Sequence, residues 1–279
     1  MLIDTHSHLN FNAFKDDYEE VILRSLAEGV SMINVGSQYD TSKKAIDIAS
    51  VSGDGVWASV GLHPIHARRT RPDIEEVEKK ETELENNETG EFDYDKYKDL
   101  AKSEKVVAIG ETGLDYWYKP KTKRKSEEFL LRQKEIFLKQ LDLANELSLP
   151  VILHCRMAHN DLLGILEDKI KKQNYNLAGV IHCFTGSWEQ AEKYLELGFY
   201  IGLNGIIFKL NLDEIIKKTP FEKILVETDC PYLTPPQVSG RNEPIFVKYV
   251  SEKIAELKKI SFDEVSEKTT ENAKNLFRL

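Results

Sequence analysis

Six side chains have the chemistry and the placement to hold metal ions: His6, His8, Glu111, His154, His182 and Asp229. The first two form His6-Ser7-His8, directly after the apolar pair Leu2-Ile3. In an extended segment side chains alternate between faces, so both imidazoles point one way, with Asp4 one step deeper. Alone, the pair is weak evidence and reads more readily as two satisfied polar residues at a strand end. Its company decides the matter, because Glu111, His154, His182 and Asp229 each stand at the end of another short apolar run. Four of the seven histidines occupy such positions, which chance placement does not favour. Nitrogen and oxygen donors, with a carboxylate free to bridge, suit two divalent ions a few ångströms apart. Mg, Mn, Zn and Fe all accept such donors, so the ligand types leave the metal open.

The neighbouring residues carry weaker signals. His63, before Pro64, follows a third apolar run and reads either as a site residue or as a turn residue. His66 and His159 lack ligand-type partners and are expected at the surface. Glu227 lies two residues before Asp229, either behind a ligand or paired with a basic group; Asp4 has the same ambiguity below His6. Cys155, Cys183 and Cys230 each follow a ligand-type residue, so alternation turns the thiols away and makes them small apolar fillers. Three cysteines without CxxC spacing argue against a disulfide framework or a thiolate zinc site.

Positioning these residues requires strands that end on one side. Apolar runs at 2–3, 32–36, 56–60, 106–110, 150–154, 178–182, 199–203 and 223–227 read as eight strands. Amphipathic stretches between them read as helices at about 18–28, 41–50, 73–84, 93–103, 126–147, 161–171, 187–198 and 244–258, with a last one after Ser261. Gly29 and Gly198 are helix stops, and Ser187-Trp-Glu-Gln190 and Ser261-Phe-Asp-Glu264 are capping boxes. Eight alternations in 279 residues, without a Gly-rich phosphate turn, predict an α/β fold of the (β/α)8 TIM-barrel type in a single domain, 1–279. In a barrel the strand ends gather at the C-terminal face, where active sites are built.

Composition is that of an ordinary soluble globular protein: 41% hydrophobic and 30% charged residues, with no long apolar run. No membrane span or leader is expected, and the expected location is cytoplasmic. Net charge −9 argues against nucleic acid as a partner only if it is spread evenly. It is not: an acidic helix-loop insertion at about 73–95 holds eleven carboxylates and two lysines, which accounts for the whole excess.

Seven stretches taken together are specific: Asp4-Thr-His-Ser-His8, Gly61-Leu-His-Pro64, Gly110-Glu-Thr-Gly-Leu-Asp-Tyr116, His154-Cys-Arg156, His182-Cys-Phe-Thr-Gly186, Glu227-Thr-Asp-Cys-Pro-Tyr-Leu233 and Arg241-Asn-Glu-Pro244. With the closing Thr270-Glu-Asn-Ala273 they run almost end to end, and they resemble the TatD family of metal-dependent deoxyribonucleases. The resemblance implies an amidohydrolase-like barrel and two divalent metal ions. One ion would be held by His6, His8, Glu111 and Asp229, the other by Glu111, His154 and His182, with Glu111 as the bridge. Two departures stand out. Met157-Ala158 occupies a place where the family often has Asp-Ala, and the acidic insertion is longer than usual.

The chemistry that follows is hydrolysis by a metal-activated water. As the family resemblance implies, the substrate expected is DNA, single-stranded or at 3′ ends, cleaved in the 3′-5′ exonuclease manner. Asp229 is the expected general base, Glu111 the bridge, and His63 a group that steadies the phosphate or leaving oxygen. Arg156, Lys209 and Arg241 are candidate phosphate contacts. Tyr116, Trp117 and Tyr118, followed by Lys119, Lys121, Lys123, Arg124 and Lys125, combine ring faces with positive charge, as single-stranded nucleic acid requires. The same stretch also reads as a solvated basic lead-in to a helix. Two alternatives remain at this level: a metal-dependent ester or amide hydrolase such as a D-aminoacyl-tRNA deacylase, and a barrel without chemistry that serves as a scaffold. Nothing in the sequence calls for a membrane or an obligate protein partner.

Overall fold

Runs of Val, Ile and Leu pair side by side in the order in which the chain supplies them. The computed structural model describes residues 1–67 and 90–279. Strands β1 (Leu2–Ser7), β2 (Val30–Val35), β3 (Val56–Val60), β4 (Val106–Asp115), β5 (Val151–Arg156), β6 (Gly179–Ile181), β7 (Tyr200–Leu203) and β8 (Ile224–Val226) form one parallel sheet in sequence order. Parallel neighbours need crossovers, and helices supply them on the outside. These are α1 (Tyr18–Ala27), α2 (Tyr39–Val51), α3 (Tyr94–Leu100), α4 (Lys123–Leu147), α5 (His159–Glu167), α6 (Trp188–Glu196), α7 (Asp213–Lys218), α8 (Val247–Lys258) and α9 (Phe262–Phe277). The expected α/β TIM barrel is what forms.

Closure of the barrel is chemical as well as geometric. Ser7 bridges to Cys230, the Asp229 N–H donates to the His6 carbonyl at 2.8 Å, and the His8 N–H donates to the Cys230 carbonyl at 2.9 Å. Below them the fully buried Asp4 carboxylate accepts the Thr228 N–H at 2.8 Å and the Thr228 hydroxyl at 2.5 Å. Asp4 is therefore a stitch across the seam between first and last strands, which resolves its ambiguity.

Apolar faces divide the interior. Ile3, Ile33, Val107, Ile152, Val180 and Leu225 pack with Leu276 and Phe277, so α9 closes the end of the barrel opposite the strand C-termini. Outside, α1 and α2 pack Val21, Ile22, Ala45 and Ile48 on Met32, Val56 and Ala58. Each such side chain contributes about 1.5–3 kcal/mol on burial. α4 adds a second device. Its buried Gln133 pairs with both backbone groups of Asp115, and Gln140, two turns along the same face, pairs with both backbone groups of Leu62. One helix thus fixes the ends of β3 and β4 at once.

Several boundaries differ from those expected. β4 runs on to Asp115, because the alternating Thr112-Gly-Leu-Asp115 continues to pair with β5. β6 and β8 stop short, leaving His182 and Glu227 on the turns beyond. The helix expected at 161–171 begins at His159 and passes into a wider π turn over Asp168–Lys172. α7 was not foreseen. Both capping boxes form, and Gly29 and Gly198 adopt positive φ after their helices. The acidic helix expected at 73–84 and most of its loop lie outside the described residues. Among the described residues no helix is long and apolar enough to cross a membrane.

Replacing Asp4 by alanine leaves the Thr228 donors unpaired in the seam. Urea unfolding in the presence of chelator should show a loss of about 1–3 kcal/mol with an unchanged slope.

Candidate metal centre

The C-terminal ends of the strands open into a cavity of about 1190 Å³. At its floor the barrel brings together all six residues singled out above. His6 Nε2 and His8 Nε2 are 3.1 Å apart, and Glu111 Oε2 lies 3.4 and 3.9 Å from them. Asp229 Oδ1 lies 3.8 Å from His6 Nε2 and 3.5 Å from His8 Nε2. Donors that share an ion at about 2.0–2.2 Å sit roughly 3–3.5 Å from one another. His6, His8 and Glu111 form one compact donor group near that spacing, and Asp229 lies within a few tenths of an ångström of it from both rings. The other oxygen of Glu111 belongs to a second group: Oε1 is 2.8 Å from His154 Nδ1, 3.4 Å from His63 Nε2 and 3.8 Å from His182 Nε2. Glu111 therefore offers one oxygen to each side.

Hydrogen-bond partners decide which rings have a lone pair to give. His8 Nδ1 donates to the Val35 carbonyl at 2.9 Å, which frees Nε2 toward the centre. His182 Nδ1 stands 2.8 Å from Glu227 Oε1, again leaving Nε2 inward. Such outer carboxylates and carbonyls orient ligating histidines. His63 is different. Its Nδ1 accepts the Ile65 N–H at 3.1 Å, so the neutral ring carries its proton on Nε2, toward Glu111. Burial pushes its pKa down and favours that neutral form. His63 is thus arranged to donate a hydrogen bond into the cavity rather than to ligate.

Charge in the centre is balanced by protons. Burial works against charge on His182, but Glu227, Asp229 and Glu111 outweigh it and hold the ring up at about 10. Burial likewise opposes charge on His154, and the hydrogen bonds to Asp115 and Glu111 outweigh it, for about 9. His6 stays neutral, pushed down to about 4 by burial and by the stacked His182 ring. Burial raises Glu111 and Asp229, yet the surrounding imidazoles hold both below the ordinary carboxylate range. The two carboxylates are therefore ionised and faced by cations, and a divalent ion would supply positive charge in the same place.

Other expectations meet mixed outcomes. Glu227 stands fully buried behind His182, also accepting the Cys183 N–H and the Asn204 amide, and Gly202 leaves it room. A Cβ at residue 202 would come within 2.7 Å of its carboxylate. Cys155 and Cys230 are buried as expected, but Cys183 is not turned away: its sulfur belongs to a donor group with His182 and Asp229. The strand has already ended and φ is +45°, so alternation no longer applies. His159 is buried, not exposed, because α5 starts on it; Nδ1 is 3.1 Å from the Tyr194 hydroxyl. His66 lines the cavity mouth.

Among the substrate contacts expected, Arg156 and Tyr116 line the cavity. The Tyr116 hydroxyl donates to Asp161 at 2.6 Å. Lys209 is exposed and does not line the cavity. Arg241 is committed elsewhere: it grips Asp17 at 2.9 and 2.6 Å and Glu243 at 3.2 Å, with Phe14 beneath it. It ties the chain before α8 to the chain before α1, and lies away from the cavity. Asp115 was missed as a site residue. Its Oδ2 is 3.2 Å from His154 Nε2, and Oδ1 accepts the N–H groups of Trp117 and Tyr118. Burial raises it, but His154 dominates and holds it at about 2. Its even offset from Glu111 along one strand was the available signal.

The chain is similar to known proteins over its whole length. The family described as TatD related DNase matches residues 3–278. An uncharacterized metal-dependent hydrolase, YabD of Bacillus subtilis, is 40% identical with full coverage of both chains. The 3′-5′ ssDNA/RNA exonuclease TatD of Yersinia pseudotuberculosis is 32% identical, again with full coverage of both. The crystal structure of the TatD homologue YJJV from Escherichia coli has a TM-score of 0.79 at 28% identity, covering 100% of this chain and 98% of that one.

A divalent ion that binds this centre stabilises the fold by mass action, about 2.7 kcal/mol at a hundred times its Kd. A thermal melt with excess Mn or Zn should rise by about 5 °C or more over the chelated protein. Glu111→Gln, which serves both donor groups, should lose most of that rise while its chelated form still melts cooperatively.

Proposed function

The chain belongs to the TatD related DNase family of metal-dependent hydrolases, and on that premise we propose that it cleaves phosphodiester bonds of single-stranded nucleic acid from the 3′ end. The observation that carries this reading is the two-sided Glu111 carboxylate, one oxygen in each donor group. His6, His8, Glu111 and Asp229 would hold one ion, and Glu111, His154 and His182 a second. The donor set fits: His6 is neutral, the carboxylates are ionised, and His154 and His182 would give up their protons to present lone pairs to an ion. Bound there, divalent ions would lower the pKa of a water to about 7 and neutralise charge on the phosphoryl oxygens. Zn, Mn, Mg and Fe are compatible with these donors.

The chain's own groups do the rest. Asp229, held below the ordinary carboxylate range, is ionised at neutral pH and takes the proton of the attacking water. His63 donates its Nε2 proton as a hydrogen bond to the phosphoryl or leaving oxygen. Glu227 and Asp115 fix the rings of His182 and His154. Deacylation of an aminoacyl ester is not favoured, and the complete donor set speaks against a chemically inert scaffold. A cytoplasmic setting, where nucleic acid is available, belongs to the same proposal.

End-labelled single-stranded DNA, incubated with the protein and each divalent metal in turn, should shorten stepwise from its 3′ end. Glu111→Ala should lower the rate by about a thousandfold, equivalent to about 4 kcal/mol of barrier. Undiminished activity in that variant, or activity in chelator, would overturn the mechanism.

A further inference from the structure

Arg156 is the one lysine or arginine among the described residues that line the cavity, whereas four carboxylates, Glu111, Asp115, Asp161 and Asp229, line it. Several arginines elsewhere are neutralised by acids: Arg241 by Asp17, Arg24 by Glu243, Arg124 by Glu128. Among the described residues Arg156 makes no ion pair. Its guanidinium is held by rings instead, 4.9 Å from the centre of Trp117 and 5.0 Å from that of Tyr118. Ring faces attract a cation without cancelling its charge or occupying its N–H donors. Arg156 therefore keeps a planar fork of five donors available, in a fixed orientation.

The mounting is built from the same elements as the centre. Asp115 Oδ1 receives the N–H groups of Trp117 and Tyr118 at 2.8 and 2.9 Å, so the carboxylate beside His154 also shapes the ring cradle. The Tyr116 N–H donates to the Arg156 carbonyl at 2.9 Å and locks the loop onto β5. His154 and Arg156 stand two residues apart on one strand, so they share a face, about 6.6 Å from one another along it. The fork lies one step beyond the second donor group, toward the mouth. Trp117 is 57% exposed there, with ring surface uncovered.

Resting on the phosphodiesterase reading, we propose that Arg156, clamped by Trp117 and Tyr118, binds the phosphate next to the scissile one. Its ligand is the non-bridging oxygen pair of a second phosphodiester, so the site selects a polynucleotide over an isolated phosphate ester. Arg156 is a specificity residue in this account, and the two rings are positioning residues for it.

The test compares two substrates in the metal-loaded enzyme: a short single-stranded oligonucleotide and bis(p-nitrophenyl) phosphate, which has one phosphodiester. Arg156→Ala should lower the oligonucleotide-to-small-ester ratio of kcat/KM by about tenfold or more, as loss of a charge-assisted contact does. The loss should appear chiefly in KM. Trp117→Ala with Tyr118→Ala should shift the ratio in the same direction, and combining them with Arg156→Ala should add little. Oligonucleotide binding by Glu111→Gln should lose about 0.7 from its log–log salt slope when Arg156 is also replaced. Equal losses on both substrates, or none on either, overturn the proposal. The salt slope reads Arg156 even if neither substrate is cleaved, an outcome that would sink the phosphodiesterase reading alone.

Discussion

The seam where the last strand meets the first is the constraint on which the site depends. Backbone hydrogen bonds join Asp229 to His6 and His8 to Cys230, so residues more than two hundred positions apart share one ladder. Three donors of one group thereby sit on a single junction. Asp4 supports it from below, where a carboxylate without partners would be costly. A barrel that failed to close would lose the first donor group outright, whereas the second rests on β4, β5 and the turn after β6, away from the seam.

Glu111 joins the two halves. Strand pairing slips between Ile109 and Thr112 on one side of it, and similarly between Asp4 and Ser7 around His6. Such irregularities re-aim side chains next to functional sites. They let β-structure, which otherwise distributes residues strictly in or out, present several polar groups to one point. Protons on His154 and His182 balance the ionised carboxylates, so the centre is electrostatically arranged around cations with the barrel intact.

Much of this was legible in the sequence, for physical reasons. Apolar runs and capping boxes are local signals, and the ends of eight strands must gather at one face, so the six donors could be grouped without coordinates. What escaped depended on local departures or on distant partners. Alternation failed for Cys183 because its strand had ended. His159 looked exposed because the cover provided by Tyr194 comes from another helix. Arg241 looked like a phosphate contact because nothing local reveals that Asp17 waits 224 residues earlier. Asp115 was hidden by the length of β4, which runs past the end of the apolar run at 106–110.

The long helix α4 has a consequence of its own. Gln133 and Gln140 each hold a backbone segment by a pair of hydrogen bonds, one leading into Trp117 and the other into His63. Seven residues bring the second amide back onto the first one's face. A single inserted or deleted residue between them would rotate one amide by about 100° and detach one loop from its anchor. Insertions are therefore tolerable in the chain's loops but not within this stretch of helix, which sets the phase between two rims of the cavity.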